Sequence, residues 1–185
     1  ELSAAGAGKF RDTLDLDVHA IAELQSKGVP ATNDKPKYEY SSEESAEMTA
    51  KYNFNTCDGK VLAIRKAGAF VDKLEDGEEG AVLVDKTNFY AEQGGQIYDT
   101  GVLTKKGSDE SHFNVTNVQI RGGYVVLVGT QEGTLSVGDE VTQKFDEDRR
   151  WLIMKNHTGT HVLNHALRSV LGDVEQKGSL VNSDK

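Results

Sequence analysis

The sequence predicts an α+β fold: an N-terminal helix and linker, a small antiparallel β-barrel, and then the start of a second, helical unit. Three observations predict it. Apolar residues recur at helical spacing at both ends of the chain. Between them, from Met48 to Phe145, the pattern changes to short β-type runs divided by glycine and charged turns. No helical pattern interrupts those runs, which favours strands that follow one another in an antiparallel barrel over a βαβ architecture. The boundaries drawn this way are 1–46, 47–146 and 147–185.

The first helix rests on Phe10, Leu14, Val18, Ile21 and Leu24, spaced by four, four, three and three residues as one amphipathic face requires. Gly28 and Pro30 end it. The polar stretch from Ala31 to Glu47 is expected to be an irregular surface connection. Strands are expected at Thr49–Thr56, Lys60–Lys66, Ala69–Leu74, Gly80–Asp85, Gly101–Thr104, His112–Arg121, Tyr124–Thr130 and Glu140–Phe145. Turns are expected at Cys57-Asp58-Gly59, Glu75-Asp76-Gly77 and Arg121-Gly122-Gly123-Tyr124. Helical periodicity returns at Asp146 and runs to Leu171, with Gly172 as its stop. Gln176–Val181 reads as a turn and the start of a strand.

Composition narrows the function classes. The 185 residues carry 21 basic and 30 acidic side chains, a formal charge of −9, which disfavours nonspecific DNA binding. The charge is uneven: seven basic against eleven acidic residues over 1–60, eight against thirteen over 61–145, and six of each over 146–185. The neutral tail holds Arg149, Arg150, Lys155 and Arg168, so an RNA partner stays open. No apolar run approaches the roughly 20 residues of a membrane-spanning helix, and no basic-then-apolar leader is seen, so neither a membrane partner nor a signal peptide is expected. The single cysteine, Cys57, excludes an internal disulfide and points to a reducing compartment. A first residue of Glu rather than Met suggests a piece of a longer protein.

Two segments could carry chemistry. His157-Thr158-Gly159-Thr160-His161 puts two imidazoles at i and i+4 on a helix, close enough to share one metal ion, but zinc needs at least one further protein ligand. Thr158 stands where the metalloprotease motif has its glutamate, so that reading fails. The expected buried stripe is Leu163, Ala166, Leu167, Val170 and Leu171, and the two histidines lie well away from it in helical phase, so they are either half of a metal site or two solvated surface residues. His165 continues the row one turn too far to reach the same ion. Gly159 costs about 1 kcal/mol relative to alanine in a helix. The second segment is Asp85–Gly101, in which a strand runs into Gly94 and Gly95. It is either a glycine-rich hairpin or a pocket wall presenting Thr87 and Gln96.

Four stretches in order, GVPATNDKPKYEY (28–40), DKTNFYAEQGGQIYDTG (85–101), NHTGTHVLNHALRSVLG (156–172) and QKGSLV (176–181), resemble the editing domain of alanyl-tRNA synthetases, most closely the eukaryotic cytoplasmic type. A looser version of the signature belongs to threonyl-tRNA synthetase editing regions, and the shared α+β unit would begin at 147. The resemblance implies that His157 and His161 bind zinc with a cysteine and a histidine from a later CxxxH segment, leaving a half-site here. It implies that Thr87, Gly94, Gly95 and Gln96 line the substrate pocket, with Thr87 as the hydroxyl partner for serine. Gly159 stands where the family usually has Ala or Ser. The implied reaction is hydrolysis of the ester joining serine or glycine to tRNA(Ala). A pocket for alanine cannot exclude glycine and rejects serine only in part, so a second site has to remove the errors. The implied partners are the tRNA(Ala) acceptor end and the rest of the synthetase chain, with ATP and magnesium used elsewhere in it. The implied location is the cytoplasm, with mitochondria as the alternative. No nucleophile beside a base is found, which disfavours a covalent route. A non-catalytic module touching RNA or another domain, and a free-standing trans-editing deacylase, are the competing readings.

Overall fold

The computed structural model describes residues 14–44, 50–108, 110–172, 175 and 178–184. Its chain order is α1 (Val18–Ser26), a 3-10 turn (Lys35–Tyr38), β1 (Tyr40–Glu44), β2 (Ala50–Phe54), β3 (Cys57–Lys66), β4 (Ala69–Val71), β5 (Lys73–Leu74), β6 (Glu79–Val84), β7 (Gly101–Lys105), β8 (His112–Arg121), β9 (Tyr124–Glu132), β10 (Leu135–Ser136), β11 (Glu140–Phe145) and α2 (Glu147–Leu171). The α+β class holds.

Six antiparallel strands close in the order β11-β7-β8-β9-β6-β3, with β3 returning to β11. Closure leaves these strands no free edge. β3 closes it by giving Cys57–Lys60 to β11 and Ile64–Lys66 to β4. Cys57-Asp58-Gly59 is therefore strand, not the expected turn. Gly59 is needed because the strand crosses a crowded seam: a Cβ there would sit 2.7 Å from Gln143 Nε2 and 2.9 Å from the Lys86 carbonyl.

Strands buried on both faces explain the dense valine runs. Val82 and Val84 of β6 and Val125 and Leu127 of β9 join Phe89, Phe113, Val118 and Phe145 in the barrel core. Their alternates Ala81, Leu83, Val126 and Val128 meet Leu14, Leu16, Ala20 and Leu24 in a second layer. α1 begins only at Val18, because the Asp17 carboxylate caps it by accepting the Ala20 N–H at 2.7 Å. Leu14 and Leu16 thus enter the core from non-helical chain, and Val18, expected on the buried face, is 80% exposed. Phe10 lies outside the described residues.

The expected linker Ala31–Glu47 contains structure. β1 pairs with β2, Tyr40 opposite Phe54 and Ser42 opposite Tyr52. The Tyr40-Ser-Ser-Glu-Glu sequence has weak strand character alone, and it is aromatic packing that fixes it: Tyr40 meets Tyr52 and Phe54, Tyr52 meets Trp151 of α2 at 4.7 Å, and Phe54 meets Phe145 at 5.2 Å.

α2 starts and stops as the sequence predicts, with Asp146 as N-cap and Gly172, at φ +81°, as C-cap. The expected buried stripe is not buried. Leu163 is 60% and Val170 82% exposed, and Leu167 and Leu171 are exposed too. A 25-residue helix is about 37 Å long. Its buried residues, Arg150 and Ile153, both lie in its first part, so apolar periodicity alone did not locate the docked face.

Candidate functional site

The site is built where α2 crosses the loop between β6 and β7. Gln93 and Gln96 exchange backbone hydrogen bonds at 3.2 and 3.0 Å around Gly94 and Gly95, whose φ values are +60° and +84°. Positive φ at both central positions makes this the two-residue hairpin turn that fits the twist of its strands. Arg121-Gly122-Gly123-Tyr124 closes β8 and β9 with the same pair of positive φ values. The difference lies in what each turn meets.

The Gln93–Gln96 turn meets the segment 179–182. Val181 N–H donates to the Gly95 carbonyl at 2.8 Å, and Ile97 N–H donates to the Val181 carbonyl at 3.0 Å. A Cβ on Gly95 would lie 2.0 Å from the Ser179 carbonyl oxygen, whereas one on Gly94 would meet nothing within 4 Å. Gly95 is thus a close-approach glycine, and Gly94 serves the turn. The same segment grips α2, since Asn156 Nδ2 donates to the Asn182 carbonyl at 2.7 Å. Residues 178–182 thus tie hairpin and helix together; Gln176 and Lys177 of the expected turn lie outside the described residues.

Across this junction Gln96 Oε1 lies 2.6 Å from His157 Nδ1. Gln96 is buried and His157 half-buried. His161, one turn on, is exposed, its ring 5.0 Å from that of His157 and tilted by 22°. Two imidazoles so placed suit one shared ion, but no group of three or more metal-binding side chains exists among the described residues. By their chemistry the two imidazoles would supply two of the four donors that a zinc ion takes. His165 makes no third member.

Thr87 stands apart. It is 0% exposed, donates its hydroxyl to Gln143 Oε1 at 2.7 Å and accepts the Phe89 N–H at 3.2 Å. Gln143 in turn donates to the Lys86 carbonyl at 2.8 Å. Among the described residues no hydrogen bond joins Thr87 to Gln96 or to either histidine. Its neighbours Lys86 and Asn88 line a separate cleft of about 270 Å³ that also contains Cys57 and Asp58. Burial pushes the Cys57 thiol up, away from the reactive thiolate.

The residue that orients all this is one that sequence reasoning placed among candidate RNA contacts. Arg150 is 3% exposed and Asp99 1%. Arg150 Nε donates to both Asp99 oxygens, at 2.9 and 3.0 Å, and Nη2 donates to Oδ2 and, at 3.0 Å, to the Asn88 carbonyl. Its guanidinium lies 4.1 Å from the Phe145 ring centre, and Asp99 also accepts the Tyr90 N–H at 2.7 Å. Arg150 therefore pins α2 to the loop carrying the hairpin, seven residues and about two turns before His157. The available signal was helical phase: Arg150, Ile153 and His157 follow at i, i+3 and i+7, with Asp99 in the polar run after Gln96.

Comparison with known proteins covers both segments of this junction. The sequence profile of the tRNA synthetases of class II (A) matches residues 5–149, which include the hairpin and end before His157. The cytoplasmic alanine–tRNA ligase of Caenorhabditis elegans is 66% identical over 186 residues, covering 100% of this chain and 19% of its own length. That of Drosophila melanogaster is 50% identical over 97% of the chain and 18% of its own length. The mitochondrial alanine–tRNA ligase of Homo sapiens is 42% identical over 92% and 17%. The chain spans about a fifth of the length of these relatives.

Proposed function

The chain belongs to the tRNA synthetases of class II (A), and from that premise we propose that it is the part of an alanine–tRNA ligase that edits, hydrolysing serine or glycine from mischarged tRNA(Ala). The observation that supports this reading best is the Gln96–His157 contact, which unites the two segments of highest chemical content, 61 positions apart, at one junction. Neither segment alone is diagnostic. In this reading the partners are the tRNA(Ala) acceptor end and the rest of the synthetase chain, in the cytoplasm by the names of the relatives in C. elegans and Drosophila. ATP and magnesium serve aminoacylation elsewhere in that protein.

His157 and His161 would hold zinc together with a cysteine and a histidine from another part of the protein. When bound, the ion would supply Lewis-acid polarisation of the ester carbonyl or orient the substrate. The chain's own residues do the rest. Gly94 and Gly95 keep the hairpin wall free of side chains, and Gln96 fixes His157. Thr87 is the proposed partner of the serine hydroxyl. Because it is buried and already bonded, serine reaches it only when the Thr87–Gln143 pair opens, a requirement that alanine, lacking the hydroxyl, cannot repay.

The test is deacylation of seryl- and glycyl-tRNA(Ala) by the full-length ligase carrying Thr87→Val, Gln96→His or His157→Ala. Each is expected to slow serine release. Unchanged release in all three would overturn the reading.

A second role is favoured by one observation: Leu163, Leu167, Val170 and Leu171 leave an exposed apolar face on α2. Such a face suits contact with another domain of the same protein.

A further inference from the structure

We propose that Gln96 is a positioning residue that locks His157 in the Nδ1–H tautomer, leaving the Nε2 lone pair free as the metal donor; in its metal consequence the proposal rests on the editing reading above. The argument starts from the hydrogen bond. With the Gln96 amide oriented so that Oε1, which can only accept, faces the ring at 2.6 Å, the imidazole is the donor and its proton sits on Nδ1. A neutral imidazole has one such proton. Its other nitrogen, Nε2, is then an acceptor, and among the described residues nothing engages it. An unrestrained histidine side chain prefers the opposite tautomer, with the proton on Nε2. The protein therefore imposes the form in which Nε2 can bind an ion without first losing a proton. A hydrogen bond at one ring nitrogen sets what the other can do.

The position of Gln96 is itself determined by packing. Its backbone is held in the turn by Gln93 and beside Val181, while Ser179 fills the space that a side chain on Gly95 would need. On the other side, Arg150 and Asn156 fix the helix that carries His157. Gln96 is buried, so its carbonyl does not exchange freely with water as an acceptor. The hairpin, the segment 179–182 and the helix converge on one proton.

The measurement is long-range ¹H–¹⁵N correlation NMR of the imidazoles in this 185-residue chain without metal, at a pH of roughly 8, where histidine is neutral. Wild-type His157 is expected to show a pyrrole-type Nδ1 and a pyridine-type Nε2. Gln96→Ala is expected to return it to the Nε2–H form, with the amide spectrum outside the hairpin unchanged. Gln96→Glu keeps an acceptor and is expected to preserve the Nδ1–H form. A wild-type His157 protonated on Nε2, or a tautomer unmoved in Gln96→Ala, overturns the proposal. In the full-length ligase, Gln96→Ala is expected to weaken Zn²⁺ or Co²⁺ binding by about 10–100-fold, and Gln96→Glu is expected to restore it. Equal affinity in all three overturns the metal consequence. Indifference of metal binding to His157→Ala overturns the zinc reading instead, and the tautomer result distinguishes the two failures.

Discussion

Replacing Asp99 with asparagine keeps the shape of the Arg150 site and removes its charge. Arg150 would remain buried against the Phe145 ring, its cation answered only by neutral acceptors, the carbonyls of Asn88 and Lys37 and the amide oxygen of the new asparagine. At an effective dielectric of about 20 a contact pair of unit charges is worth roughly 4 kcal/mol. Removing one partner of a buried pair typically costs about 3–5 kcal/mol, because the other charge stays desolvated. At about 2–4 °C per kcal/mol for a chain of this length, the melting temperature should fall by about 6–20 °C. Urea unfolding followed by Trp151 fluorescence reads the change directly, since Trp151 adjoins Arg150 and packs on Tyr52. Glu23→Gln, at the exposed Glu23–Lys27 pair on α1, is the control and should change stability by less than about 0.5 kcal/mol. Asp99→Leu combined with Arg150→Met should cost less than the sum of its parts, because neither charge is left behind. Two outcomes would refute the reasoning: a loss below about 1 kcal/mol for Asp99→Asn, or strict additivity in the double variant.

Three further predictions concern the same junction and its surroundings. Gly95→Ala should release the segment 179–182 from the hairpin, seen as lost hydrogen-exchange protection at the Ile97 and Val181 amides; Gly94→Ala, strained only by its positive φ, should cost about 1 kcal/mol and leave both protected. Thr87→Val strips the Gln143 Oε1 of its donor in a dry site and should destabilise by about 1–3 kcal/mol in thermal melts, while Thr87→Ser should recover most of it. The Cys57 thiol, raised by burial, should resist alkylation in the folded chain at neutral pH and react promptly on denaturation. The sign for stability follows: the folded state holds the thiol proton more tightly. Its contribution is therefore complete below the ordinary thiol pKa and is lost as pH rises through the folded value, visible as a falling urea midpoint in alkaline buffer that Cys57→Ser abolishes.

Much of the fold was legible because local rules agreed with one another. All eight predicted strand regions contain strand, and β8 matches end to end, because period-2 valine and aromatic runs between glycine turns leave few alternatives. α2 is bounded by the Asp146 and Gly172 that its sequence offers. Where the reading failed, a distant partner decided. Cys57–Gly59 looks like a turn until β11 arrives to pair with it. Tyr40–Glu44 looks like linker until Phe54 and Tyr52, the latter packed on Trp151, give its aromatic ring a surface. Leu163–Leu171 looks buried because apolar periodicity says which residues share a face and not whether anything covers it.

The sequence by itself determined the ingredients of the candidate site: a Gly-Gly turn before Gln96, two histidines one helical turn apart, and a cysteine count too low to complete a metal site within the chain. Those are local or arithmetic properties, set by φ preferences, helical pitch and composition. Only the tertiary structure decided that Gln96 touches His157, that Val181 and Asn182 bind hairpin to helix, and that Arg150 is a buried anchor and not a surface cation. It also put Thr87 in a bonded pair with Gln143, away from the histidines. The physical reason is that the direction of a side chain across 50 or 60 residues of chain depends on which strands close the barrel and where the helix lands on it. No short-range preference encodes that landing, whereas one buried ion pair and one shared backbone segment enforce it.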